Sequence, residues 1–268
     1  MIKPQFIRPT KFFSIPEAER QKFLVDLEAW EQSPEGIAEK EAERAKEAAQ
    51  KAISEARYES LLPAAIRAKL VEVGVPERVL CVLWEDVAET PAVAAVREMP
   101  DMVVLSGACG CGKTVAAGHR MRMEVGSPKN WHPTSPSEFF SDRKACDDEP
   151  VWCGRESVWA TSSDLIRTDH YDRKEFERIS KAPLLVIDDL GSEFFDVKGF
   201  FGSFVDEIVN IRYAGKKPTV ITTNLAADAF KARYGARVSD RIREAGRFVS
   251  CGSASLRYAT VSTPGRSR

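Results

Sequence analysis

Residues 102–114 read MVVLSGACGCGKT, and this stretch decides what kind of fold the chain adopts. Met102 to Ser106 is an unbroken apolar run of strand length, bounded by Pro100-Asp101 on one side and Gly107 on the other. Gly107 to Thr114 matches G-x-x-x-x-G-K-[ST] in full, and a helical pattern follows to about residue 125. Glycines at these positions let the backbone fold tightly enough for its amides to converge, and the helix start adds a partial positive charge. A polyphosphate is the ligand for such a loop. Gly107, Ala108, Cys109, Gly110, Cys111, Gly112, Lys113, Thr114 and Val115 are therefore the expected ATP-binding residues. Lys113 would reach the β and γ phosphates, and Thr114 would ligate Mg2+. Cys109 and Cys111 read either as small loop residues or as thiols made reactive by the helix start and Lys113.

Strand-like and helical patterns alternate downstream of the loop. Val158 to Thr161, Leu184 to Asp188 and Thr219 to Thr222 are the further strands, with helices near 163–180 and 200–214, which predicts a parallel sheet covered by helices. The second of these strands ends in Asp188-Asp189. Asp188 suits the magnesium shell, and Asp189 is placed to orient or deprotonate an attacking water. Asn224 follows the third strand at the same edge and could hold that water or the γ phosphate. Arg237 and Arg241, four residues apart on one helical face, form either a solvated basic patch or a pair that reaches a neighbour's γ phosphate. The alternative of a small-molecule kinase using the same loop calls for an acceptor pocket and a lid, and the paired carboxylates, Asn224 and the late arginines argue against it.

Ahead of the loop the chain reads as helical. Phe23, Leu27 and Trp30 share a face after Ser14 and Pro16, and Ser33-Pro34 ends that helix. From Glu35 to Arg57 alanines recur alternately four and three apart, a seam suited either to a solvated spacer helix or to close docking. A separate short helix is expected from Pro63 to Val73. The segment 127–155, with four prolines and an acidic cluster, breaks the alternation. With 39 Lys and Arg against 40 Asp and Glu, any nucleic-acid contact must come from a local patch; Arg167, Arg173, Lys174 and Arg178 form a candidate stripe, or an ordinary solvated face. No apolar run approaches the ~18 residues that span a bilayer, so no membrane partner is expected and the localisation reads as cytoplasmic. The six cysteines and three histidines contain no CxxC, and reduced thiols fit best; Cys146, Cys153 and His132 read either as a zinc set or as unrelated small side chains.

Taken in order, GACGCGKT at 107–114, LLVIDDLGSE at 184–193, Asn210-Ile211-Arg212-Tyr213 leading to PTVITTNL at 218–225, and RYGARVSDRIREAG at 233–246 resemble the AAA+ ATPases of the DnaC/DnaI helicase-loader and IstB type. Gly74-Val75-Pro76-Glu77-Arg78 is similar to the family's approach to its ATPase domain. The resemblance covers about residues 74–258. It implies an α/β AAA+ domain with a parallel sheet flanked by helices, carrying the insertion 127–155, behind a helical partner-binding region at 1–73 and ahead of a flexible tail at 259–268. It also implies that Asn224 is sensor 1, that Arg241 is an arginine finger acting in trans with Arg237 beside it, and that Arg257 is sensor 2. The implied activity is slow, assembly-dependent ATP hydrolysis, with a hexameric replicative helicase gripped by the N-terminal helices and single-stranded DNA held by the ATPase domain. Leu190-Gly191-Ser192-Glu193 looks more like the replicative loaders than the transposition regulators that assemble on duplex DNA. Two features depart from the pattern: no cysteine or histidine precedes Cys81, and 127–155 has no counterpart.

Overall fold

The computed structural model describes residues 15–85, 87–133, 149–167, 172–193, 200–252 and 254–256. The chain divides into two compact units, residues 1–60 with 135–149, and residues 61–134 with 150–268.

In the first unit, helix α1 (Glu17–Glu31) buries Trp30, with Phe23 and Leu27 half-buried on the same face as the spacing predicts. Ser33 ends it: its Oγ donates to Trp30 O (2.6 Å) and accepts from Gly36 N–H (3.1 Å), opening the next helix. A Cβ on Gly36 would lie 2.0 Å from Trp30 O, so only glycine fits this tight joint. That next helix, α2, runs from Pro34 to Val73 without interruption. The separate helix expected from Pro63 is thus the last part of a 40-residue one. A proline removes one N–H and crowds the preceding turn, and here those effects do not end the helix. Lys51 pairs with Glu55 (3.8 Å) on its exposed side.

The second unit carries the α/β fold. Helices α3 (Glu77–Leu83) and α4 (Pro91–Arg97) lead into β1 (Met102–Ser106), and Thr90 Oγ1 caps α4 by accepting from Val93 N–H (3.2 Å). Then follow α5 (Lys113–Val125), β2 (Trp131–Pro133), β3 (Pro150–Trp152), β4 (Val158–Thr161), α6 (Ser162–Arg167), α7 (Arg173–Lys181) and β5 (Leu185–Leu190). The order ends with α8 (Phe200–Ala214), β6 (Thr219–Thr223), α9 (Ala227–Tyr234), α10 (Ala236–Ala245) and β7 (Gly246–Ser250). Five strands form one sheet in the order β4-β5-β6-β1-β7, and every neighbouring pair is parallel. Every residue of β1 and of β6 is buried, which is why both read as unbroken apolar or threonine-rich runs. Phe201, Phe204, Val205, Ile208 and Val209 of α8 join the same core.

Three elements depart from expectation. The helix expected over 163–180 is two, α6 and α7. The edge strand β7 was not anticipated: GRFVS holds two apolar side chains, both only partly buried, and gives little periodic signal. It depends on Gly246, where a Cβ would stand 1.7 Å from Met102 O of β1. Inside the 127–155 segment, β2 and β3 pair antiparallel with Trp131 opposite Trp152, and Trp131 Nε1 donates to Val125 O (2.7 Å), which anchors the stem on the end of α5. Residues 134–148, including Cys146, lie outside the described residues. Among the described ones no cluster of His, Cys, Asp or Glu is placed to hold zinc.

Arg212 is the largest fully buried side chain, with no solvent exposure. Its guanidinium donates to Thr219 Oγ1 (2.7 Å) and to the carbonyls of Ser180 (3.1 Å), Ala182 (2.9 Å) and Pro218 (2.6 Å), so it ties the end of α7 to the start of β6. Burial lowers its pKa to about 10, and the C-terminal carbonyls of α7 supply the compensating negative potential. Lysine offers three donors from a point, not five from a plane. Arg212→Lys is expected to lower the unfolding free energy by about 2 kcal/mol or more, measured by urea denaturation; an unchanged midpoint would show that the clamp contributes nothing.

Candidate nucleotide-binding site

β1 delivers the loop and α5 leaves it. Gly110 and Gly112 take φ of +89° and +92°, a region that glycine enters without strain. Among the described residues the amides of Gly110, Gly112, Lys113 and Thr114 donate to no backbone carbonyl, which leaves them open to an anion. Lys113 is 7% exposed. Its ammonium donates to Gly107 O (2.8 Å), Ala108 O (2.8 Å) and Asn224 Oδ1 (3.1 Å), with Cys111 Sγ at 3.7 Å. Cys111 is buried and Cys109 exposed.

The carboxylates face this loop because β5 slips. The register runs Ile187 opposite Ile221 and then Leu190 opposite Thr223, so β5 has one residue more than β6 across the interval. Such a bulge re-aims side chains that would otherwise alternate between faces. Asp189 sits at φ +60°, a left-handed conformation that aspartate tolerates better than most residues. Thr222 fills the slip: its Oγ1 donates to Asp188 Oδ1 (2.6 Å) and accepts from Asp189 N–H (2.8 Å). Thr114 Oγ1 also donates to Asp188 Oδ1 (3.0 Å), and Asn224 Nδ2 donates to Asp189 Oδ1 (3.1 Å). Lys113, Thr114, Asp188, Asp189 and Asn224 thus form one connected network, with Asn224 bridging the ammonium and the exposed carboxylate. Val115 lies half-buried at the start of α5.

Asp188 is 3% exposed. Burial, the largest cause, pushes its carboxyl above the usual range, and Asp189 adds to this, while the Thr222 and Thr114 hydrogen bonds and the Arg78 charge oppose it. A buried carboxylate beside a hydroxyl fits Mg2+, which takes one or two carboxylates and completes its shell from substrate phosphates and water. Thr114 and Asp188 are the residues that would hold it.

The two arginines converge on one partner within their own chain: Asp206 of α8 receives Arg241 Nη1 (3.0 Å) and Arg237 Nη1 (3.4 Å). The Arg237 side chain is 64% exposed and that of Arg241 16%. Arg257 lies outside the described residues. Of the suggested stripe, Arg173 and Arg178 are charge-paired along α7, with Glu177 (3.2 Å) and Glu175 (2.7 Å), and Lys181 shares Glu177 (3.1 Å). Sequence reasoning missed Thr222, Asp206 and Cys251. The Cys251 thiol lies beside the loop and is pushed up to about 11, first by burial and then by Cys111. Thr222 lies inside the 218–225 stretch without a role of its own there, and Asp206 and Cys251 lie outside any motif; each acts through a partner distant in sequence.

No protein-family model matches the chain, and no curated protein sequence matches it. Solved structures do resemble it. The crystal structure of the DnaC helicase loader is 20% identical with a TM-score of 0.42, over 66% of this chain and 90% of that one. The crystal structure of DnaI is 18% identical with a TM-score of 0.46, over 69% and 95%. Domain III of the Thermotoga maritima replication initiation protein DnaA is 15% identical with a TM-score of 0.42, over 59% and 58%. At these identities and scores the likeness assigns no residue a role. Among the described residues no helix is long and apolar enough to cross a membrane.

Because the raised pKa disfavours the ionised form in the fold, Asp188 costs stability as pH rises from the ordinary carboxylate value through its raised one, and the cost is complete above the raised value. Asp188→Asn keeps an acceptor for both threonines and removes that charge. Its ligand-free melting temperature at pH 7 is expected to exceed the wild type's, with the difference vanishing in acid; a lower melting temperature would show that the carboxylate is matched in the free protein.

Proposed function

We propose that this chain is an ATPase that hydrolyses ATP to ADP and phosphate and works as an assembly. The observation that supports it is the single network joining Lys113, Thr114, both carboxylates and Asn224. Lys113 would give up its contacts with Gly107 O and Ala108 O to meet the β and γ phosphates. Asn224 would then keep Asp189 oriented toward the water that attacks the γ phosphate, with Asp189 accepting its proton. Magnesium held by Thr114 and Asp188 would neutralise charge on the phosphates. The expected arginine finger Arg241, with Arg237 beside it, would leave Asp206 to reach the nucleotide of a neighbouring copy, and that exchange makes turnover depend on assembly.

The finer reading is a replicative-helicase loader in DNA replication, with the helices of 1–73 as the grip on a hexameric helicase and the ATPase domain on single-stranded DNA. It rests on the ordered motif set and on the LGSE turn after Asp189. Arg173 and Arg178 are occupied by ion pairs within α7, so the DNA contact draws no support from those two residues.

Phosphate release without any added acceptor is expected, at a rate per subunit that rises with protein concentration. Asp189→Asn should keep ATP affinity and lose about 100-fold or more in turnover, whereas Lys113→Ala should lose affinity as well. Turnover that requires a small-molecule acceptor would replace this reading with a kinase. In mass photometry with ATP and magnesium, a complex with a replicative helicase that disappears on deleting residues 1–60 supports the loader role, and filaments on duplex DNA without helicase contradict it.

A further inference from the structure

Four residues past Asp189 lies a third carboxylate, one that the proposed mechanism does not use. The side chain of Glu193 is 2% exposed. Its Oε2 accepts from Gly191 N–H (2.7 Å), and its Oε1 accepts from the Tyr234 hydroxyl and forms an ion pair with the Arg233 guanidinium (2.9 Å). Arg233 also donates to the Glu193 carbonyl (2.6 Å). Burial and the Glu193 contact hold the Tyr234 phenol above its ordinary range. Both oxygens of a buried charge are therefore matched, one by the turn that carries Asp189 and the other by the last residues of α9.

Each end of this link leads to a group that the proposed reading uses. On one side, Asp189 in its left-handed conformation is followed by Gly191 at φ +106°, and Ser192 N–H (3.2 Å) and Oγ (2.9 Å) return to Asp189 O. A turn with two positive-φ residues stays in one shape only when its surroundings fix it, and Glu193 supplies that from below. On the other side, Tyr234 ends α9, Gly235 at φ +92° is the joint, and α10 begins at Ala236 with Arg237 next. The position of the joint decides where Arg237 and Arg241 point.

We propose that Glu193 is a positioning residue that sets the Asp189 turn and the α9–α10 joint together, so that the acid beside a subunit's own nucleotide and the arginines it offers to the next are placed by one buried carboxylate. This rests on the reading of Asp189 as the water-handling group and of the arginines as acting in trans.

Mixed assemblies test it. A subunit carrying Asp189→Asn keeps its arginines, and one carrying Arg237→Ala with Arg241→Ala keeps its acid, so mixing the two restores turnover at sites where intact acid meets intact arginines. Glu193→Gln is then added to the Asp189→Asn subunit alone, whose own acid is already silent. The restored turnover is expected to fall about fivefold or more while ATP affinity stays the same. Tyr234→Phe in that subunit, which removes one hydroxyl, is expected to lower it in the same direction by less. Restored turnover unchanged by both substitutions overturns the coupling while leaving the ATPase reading intact. Mixtures that restore nothing, from a wild type that does hydrolyse ATP, overturn the trans arginines and the coupling with them. A wild type without turnover overturns the ATPase reading itself.

Discussion

A parallel strand turns successive side chains to opposite faces, so two neighbouring carboxylates can serve one loop only if the strand slips. β5 slips by one residue at Asp188 and Asp189, and Thr222 of the adjacent strand occupies the gap, donating to one carboxylate and accepting from the amide of the other. From that slip follows the division of labour at the site. Asp188 stays buried within reach of Thr114, while Asp189 turns out to solvent where Asn224 holds it. Without it, one of the two would point into the sheet's far side and the proposed chemistry would lack either its metal ligand or its base.

Strand order places the rest. β6 runs between β1 and β5, so its end carries Thr222, Thr223 and Asn224 into the space between loop and acids. Arg212 fixes where β6 begins, by binding Thr219 and the carbonyl of Pro218. Thr223 Oγ1 donates to Leu190 O and Ser106 Oγ donates to Leu225 O (2.6 Å), which fastens the edge of the sheet from which all the site residues project. The structure thus uses buried polar groups, each matched, to hold positions that an apolar core alone would leave loose.

How much of this was legible in the sequence depended on how local the signal was. The loop, β1, α5, β4 and the pair of aspartates could be read because each is a contiguous pattern, and they lie where the spacing predicts. β7 was not legible, since an edge strand with two half-buried apolar residues looks like a loop until its neighbour is known. Pro63 signals a boundary in the sequence that α2 does not observe. Thr222, Glu193 and Arg212 lie within the motif stretches at positions to which those stretches give no role, and Asp206 lies outside them; what each does depends on contacts made far along the chain. For Arg237 and Arg241 the spacing predicted a shared face, but not that both would rest on Asp206 of their own chain.

Thr222→Val tests the central claim most directly, since valine keeps the shape and the burial and removes both hydrogen bonds across the slip. Calorimetric titration of ATP into this variant, with and without magnesium, is the measurement. The account predicts that magnesium-free ATP affinity matches the wild type's while the gain from magnesium is lost; a full magnesium gain in the variant would mean that the bulge, and not Thr222, holds the carboxylates in place.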